Sequence, residues 1–90
     1  MDVVRRRAVV SGEVQGVFFR DGARREAAAR GLAGSARNLP DGTVEVVVEG
    51  RPADVSALVE WLHRGTPQSR VDDVVVAAEQ PEGLTGFRVG

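Results

Sequence analysis

Residues 12–20 combine glycines and an arginine in a pattern that could bind an anion. They read GEVQGVFFR, with Gly12 and Gly16 at the two ends of a short turn and Arg20 directly after it. Glycines allow successive backbone N–H groups to converge on one point, and such a concavity at the start of a helix attracts an anion. The planar guanidinium of Arg20 suits two oxygens of a phosphate. On spacing alone, an ordinary strand–helix turn with a solvent-facing arginine explains the stretch equally well.

The rest of the chain offers little further catalytic chemistry. It has no Cys and one His, His63, which falls late in the second predicted helix and should interact with the C-terminal carbonyls of that helix. No metal-ligand cluster is recognisable, and the nearest acidic pair, Asp72 and Asp73, should point to opposite faces of a strand. An anion site without a metal or an acid catalyst needs an easy leaving group. A carboxylate, with a pKa of about 4, qualifies, which favours mixed carboxylic–phosphoric anhydrides as substrates over phosphate esters.

Composition excludes several classes of protein. The 90 residues include 12 Arg, no Lys and 13 acids, and a net charge of −1 argues against a general nucleic-acid or anionic-membrane surface. Three Phe and one Trp give no stacking platform for single-stranded nucleic acid. No apolar run approaches the roughly 20 residues of a membrane span, and the N-terminus lacks a secretory signal. We therefore expect one domain over residues 1–90 in a soluble, cytoplasmic protein that needs no metal or cofactor.

The apolar residues predict the elements that must position the anion-binding stretch. Residues 3–14 are rich in Val and predict a first strand, in which Ala8 and Val10 face the core. Residues 20–31 are rich in Ala and predict a helix that ends with a left-handed Gly31. The GEVQGVFFR stretch thus connects a strand to a helix.

The remaining segments complete a βαββαβ order. They are a second strand over 34–39, a third strand over 43–50, a helix from Pro52 to Gly65, a fourth strand over 71–79 and a short edge piece at 87–89. Asp41-Gly42 joins the second and third strands in a hairpin. The third strand alternates, with Val44, Val46 and Val48 facing in and Glu45, Val47 and Glu49 facing out, and Arg5 and Arg7 face out of the first strand. Two helices on one face of an antiparallel sheet form a ferredoxin-like α+β sandwich, a fold that hosts many functions.

Several stretches of the chain resemble the acylphosphatase family. They are VSGEVQGVFFR (10–20), GSARN (34–38), GTV (42–44) with Gly50, and GTPQSRVDDV (65–74). The resemblance covers essentially the whole chain and implies a ferredoxin-like hydrolase that acts on acid anhydrides. Such an enzyme converts acyl phosphates to a carboxylate and orthophosphate without a metal or covalent intermediate. The chain departs from the family pattern at Ser35, where a large aromatic is usual. It also ends at Gly90 without the aromatic common in relatives, which puts a contact from that end in doubt.

The resemblance also implies the residues of the site. The phosphate-binding arginine of the family corresponds to Arg20 and its water-orienting asparagine to Asn38. The family's cradle of backbone amides corresponds to Glu13, Val14, Gln15, Gly16, Val17, Phe18 and Phe19. Asn38 would hold a water in line with the scissile P–O bond, and a phosphate oxygen of the substrate would take the proton of that water. Without the resemblance, Asn38 is better explained as a residue before a turn that hydrogen-bonds the hairpin backbone.

Two other functions are compatible with the predicted fold. A non-catalytic ferredoxin-like module could use the same loop to sense phosphate or an acyl phosphate. An RNA-recognition module of similar topology needs aromatics on its central strands, where this chain has Ala8, Val10, Val46 and Val48. The acylphosphatase resemblance instead implies a small-molecule acyl phosphate as substrate, inorganic phosphate as product and inhibitor, no nucleic acid or membrane partner, and a monomer.

Overall fold

The computed structural model describes residues 2–90, which form five strands and two helices. In chain order these are β1 (Val4–Glu13), α1 (Phe19–Ala29), β2 (Ala33–Asn38), β3 (Val44–Gly50), α2 (Pro52–Arg64), β4 (Arg70–Glu79) and β5 (Phe87–Val89). Neither helix of this part of the chain is long and apolar enough to cross a membrane.

The strands form one sheet in the order β4-β1-β3-β2-β5. The pairs β1–β3, β1–β4 and β2–β3 are antiparallel, and the predicted Asp41-Gly42 hairpin is confirmed. The predicted edge piece is β5, which runs parallel to β2 and pairs Phe87 with Gly34. The ferredoxin-like sandwich is therefore confirmed, with a parallel edge strand added to the antiparallel sheet.

The core lies between the helices and one face of the sheet, as the apolar spacing predicts. Its buried members on the sheet are Ala8, Val10, Ala36, Val44, Val46 and Val48, and those on the helices are Phe19, Ala23, Ala27, Val55, Leu58 and Leu62. The left-handed end of α1 is also confirmed, because Gly31 has φ 67° and the N–H of Leu32 donates to the carbonyl of Ala27 at 2.8 Å. This packing sets the position from which the GEVQGVFFR loop leaves the sheet.

The opposite face of the sheet points outward as predicted, but the side chains at its centre are buried. Arg5 is only 6% exposed and Glu49 only 3%. Arg5 forms 2.8 Å ion pairs with both Glu49 and Glu79. The segment 82–84 crosses this face, and its three backbone N–H groups donate to the Glu49 carboxylate at 2.8–3.1 Å. Arg5 and Glu49 can be buried because each has a partner of opposite charge. The pairing offsets the free-energy cost of removing the two charges from water.

Glu49 should make the free energy of unfolding depend on pH in acid. Burial opposes the charged form of Glu49, but hydrogen bonds from the backbone of 82–84 and from Arg5 prevail and hold its pKa below the ordinary value. A lowered pKa contributes stability at pH above about 4.3, the ordinary pKa of Glu, and that contribution is lost as the pH falls through the lowered value. The urea midpoint of the wild type should therefore drop between about pH 7 and pH 3.

Glu49→Gln should be less stable than the wild type near neutral pH and should lose less of its remaining stability on acidification. Glu60→Gln, at an exposed position of α2, is the matched control and should follow the wild-type curve. If Glu49→Gln and the wild type lost stability in parallel, the buried carboxylate would not be the source of the acid sensitivity.

Candidate active site

A pocket of about 270 Å³ lies where β1 passes into α1. Its walls are Val14, Gly16, Phe18, Phe19, Arg20 and Asp21, together with Val89 from β5. Five of the residues predicted from the GEVQGVFFR stretch thus line one cavity. The other predicted residues, Glu13, Gln15, Val17 and Asn38, are not among the residues lining this pocket.

The loop before α1 has the backbone pattern of an anion-binding turn. Gly16 has φ 74° and Phe18 has φ 61°, and Phe18 is the one non-glycine residue among 2–90 with a positive φ. The residues on either side of them, Gln15, Val17 and Phe19, have no such φ. Alternation of left- and right-handed residues turns successive N–H groups toward one side and forms an anion-binding concavity. A bulky residue in this conformation costs about 1–2 kcal/mol, and such strain gathers at functional sites.

The loop is held in place by contacts along its length. Val14 and Phe19 are buried in the core, and the ring of Phe19 packs on Trp61 with 5.6 Å between ring centroids. Between them, the hydroxyl of Thr66 donates to the carbonyl of Val17 at 2.9 Å. Thr66 belongs to the GTPQSRVDDV segment after α2, so this segment supports the loop from outside it. These contacts fix the conformation of the loop.

The first turn of α1 leaves its N–H groups and partial positive charge facing the pocket region. Phe18 precedes the helix and makes no side-chain capping hydrogen bond, so its side chain does not cap the N–H groups of the first turn. Asp21, whose charge would oppose a bound anion, pairs with Arg24 at 2.7 Å and with Arg25 at 2.9 Å. The hydrogen bond from Arg24, supported by the charge of Arg25, lowers the pKa of Asp21. The two arginines balance the charge of that carboxylate.

Arg20 is half-buried at the pocket and is oriented by the far end of the chain. Its Nη1 donates to the main-chain oxygen of Gly90. This is a contact from the end of the chain that the sequence alone did not predict. Gly90 is itself held, because its N–H donates to the carbonyl of Ala36 on β2 at 3.0 Å. This contact is made by the main chain and does not depend on the side chain at position 90. One edge of the guanidinium is thus fixed by the sheet.

Asn38 is the last residue of β2, and its side chain is exposed. The side chain that hydrogen-bonds the hairpin backbone is that of Gln15, whose Nε2 donates to the carbonyls of Leu39 at 2.8 Å and Thr43 at 2.9 Å. The sequence suggested, as an alternative role for Asn38, that its side chain hydrogen-bonds the hairpin backbone. In the structure Gln15, a residue of the loop, makes those hydrogen bonds. Sequence reasoning missed Gln15, Thr66 and Gly90 as supports of the site.

The other candidate groups lie apart from this pocket. His63 is exposed near the end of α2, as predicted, but its Nδ1 lies 3.0 Å from the carbonyl oxygen of Val59, one turn back within the helix, and not from the C-terminal carbonyls that the sequence suggested. In the described part of the chain, no three His, Asp or Glu side chains are grouped so that they could hold a metal ion. The pocket at the start of α1 is therefore the candidate active site.

Comparisons with known proteins match nearly the whole chain. A family model described as Acylphosphatase matches residues 6–89. The acylphosphatase of Thermococcus kodakarensis is 53% identical over 89 residues, 99% of this chain and 98% of that protein. The acylphosphatase of Gloeobacter violaceus is 51% identical over 86 residues, 96% of this chain and 92% of that protein.

Solved structures agree with these sequence matches. The crystal structure of acylphosphatase from Bacillus subtilis superimposes with a TM-score of 0.94 at 38% identity, covering 97% of this chain and 98% of that chain. The structure of an acylphosphatase from Coxiella burnetii gives the same TM-score and identity, covering 99% of this chain and 94% of that chain. On these full-length matches, the chain belongs to the acylphosphatase family.

Proposed function

We propose that this chain hydrolyses acyl phosphates by direct attack of water on the phosphorus. Family membership makes the mixed anhydrides of carboxylic and phosphoric acids the substrate class, and a carboxylate and orthophosphate the products. In the proposal, Arg20 and the backbone amides from Glu13 to Phe19 hold the phosphoryl oxygens, and Asn38 orients the water. The observation that carries it is that Arg20 and the left-handed residues Gly16 and Phe18 line one pocket at the start of a helix.

The reaction needs no protein acid or base. The water oxygen forms a bond to phosphorus, and the bond between phosphorus and the acyl oxygen breaks. The electron pair of that bond leaves with the carboxylate, which is stable unprotonated because its pKa is about 4. The proton of the attacking water passes to a phosphoryl oxygen of the substrate. Catalysis then consists of holding the reactants in line and stabilising the charge on the phosphoryl oxygens.

The electrostatics of the pocket support this assignment. The guanidinium of Arg20 and the N-terminus of α1 both offer positive charge to the same pocket. Because Arg24 and Arg25 balance Asp21, the acid next to Arg20 does not cancel that charge. The loop backbone supplies neutral donors that need no reorganisation when the phosphate binds.

The test follows the hydrolysis of an aromatic acyl phosphate by absorbance in water enriched in ¹⁸O. Hydrolysis above the protein-free background, with the label in orthophosphate, is the expected result. Label in the carboxylate would contradict attack on phosphorus. Phosphate binding without any hydrolysis would contradict the enzyme proposal and support a module that senses phosphate or acyl phosphate.

A further inference from the structure

We propose that the side chain of Gln15 positions the phosphate-binding loop relative to Asn38, so that it acts on the rate of water attack and not on phosphate affinity. This inference rests on the proposed function. In that function Gln15 contributes only its backbone N–H to the cradle. The carboxamide points instead toward the hairpin that carries Asn38.

The geometry of the Gln15 carboxamide is that of a bridge. Nε2 donates to the carbonyl of Leu39 at 2.8 Å and to that of Thr43 at 2.9 Å, across sequence separations of 24 and 28 residues. Leu39 directly follows Asn38. Thr43 lies across the turn from Leu39 and accepts a hydrogen bond from its N–H. Both hydrogens of one nitrogen are used, which only a primary carboxamide provides among neutral side chains.

The turn between β2 and β3 does not need this bridge to close. The N–H of Leu39 donates to the carbonyl of Thr43 at 2.8 Å, and the N–H of Gly42 donates to the carbonyl of Leu39 at 3.1 Å. The carboxylate of Asp41 also accepts from the N–H of Thr43 at 3.0 Å. What Gln15 adds is therefore a direct link between the loop and the end of β2.

Removal of the bridge should leave the cradle itself intact. Val14 and Phe19 remain buried, Thr66 still holds Val17, and Arg20 still meets Gly90. The offset between the bound phosphoryl group and the Asn38 carboxamide is no longer fixed. Because a misplacement of about 1 Å between reacting groups can cost about 10²-fold in rate, this offset matters for kcat.

The experiment measures kcat for an aromatic acyl phosphate, the inhibition constant of inorganic phosphate and the urea midpoint of Gln15→Leu. A second variant, Gln15→Met, keeps an unbranched side chain of similar length if the first does not fold. Gln80→Leu makes the same change at an exposed position directly after β4 and is the matched control. We expect kcat to fall about 10- to 100-fold in the Gln15 variants, with the phosphate inhibition constant within about twofold of the wild type.

The double variant Gln15→Leu/Asn38→Ala separates a positioning role from a merely structural one. If Gln15 acts through Asn38, the double variant should be no slower than Asn38→Ala alone. Additive losses, an equal loss of phosphate affinity or a wild-type kcat in Gln15→Leu would each overturn the inference.

Amide NMR during titration with inorganic phosphate gives a result that does not depend on turnover. In the wild type, phosphate should shift resonances of the loop and also of residues 39–43, whereas in Gln15→Leu only the loop should respond. A response of residues 39–43 that survives in Gln15→Leu would overturn the inference. A wild type that shows the coupled response but no hydrolysis would instead overturn the proposed function while supporting the bridge.

Discussion

Arg20→Lys should weaken phosphate binding and slow acyl phosphate hydrolysis together, lowering kcat/KM by about 10²-fold. An ammonium group keeps the charge but cannot present two parallel N–H groups to two phosphoryl oxygens. It also cannot hold the main-chain oxygen of Gly90 with one nitrogen while offering others to the pocket. Steady-state kinetics with an aromatic acyl phosphate, together with competition by inorganic phosphate, measure both effects.

Arg51→Lys is the matched control for Arg20→Lys, because Arg51 is exposed at the start of α2 and contributes nothing to the pocket. It should behave as the wild type. Inorganic phosphate should compete with substrate in the wild type and only weakly in Arg20→Lys. Equal inhibition of the two proteins would remove Arg20 from the phosphate site.

Asn38→Ala should lower kcat by at least about 10²-fold and leave the inhibition constant of inorganic phosphate nearly unchanged. In the proposed mechanism the carboxamide orients the attacking water, whereas phosphate is bound by Arg20 and the loop amides, which lie on other elements. Loss of Asn38 therefore removes positioning without removing affinity. The measurement is the separation of kcat from the phosphate inhibition constant.

Ser35→Ala, on the same strand, controls for a general disturbance of β2 and should retain most of the wild-type kcat. Turnover of Asn38→Ala at the wild-type rate would exclude Asn38 from the mechanism. A parallel loss of rate and phosphate affinity would mean that Asn38 contributes to phosphate binding itself.

The elements that position the site could be predicted because their signals are local. The alternation in β3, the Asp41-Gly42 turn and the glycine end of α1 each depend on residues close together in the chain. The same alternation could not predict that Glu49, on the outer face, is buried. A period of two residues reports which way a side chain points, but the cover over Glu49 comes from residues 82–84, more than 30 residues away.

The contacts that hold the loop and Arg20 in place could not be predicted either, because they also join residues that are far apart in the chain. Gln15 reaches the hairpin across 24 and 28 residues, Thr66 reaches Val17 across 49, and Gly90 reaches Arg20 across 70. No spacing rule joins groups that far apart. The left-handed backbone of Phe18 is also without a local signal, because a bulky side chain disfavours that conformation and only its surroundings impose it.

The parallel edge strand β5 has a consequence for Arg20 in the proposed mechanism. A strand of three residues at a sheet edge opens more easily than the centre of the sheet. Gly90 follows this strand directly, so each time the edge frays, the guanidinium loses its anchor and can swing away from the phosphoryl group. In the proposed mechanism, the arginine that binds the phosphoryl group is therefore held through a short edge strand, so local opening of that strand would release the guanidinium while the rest of the fold persists.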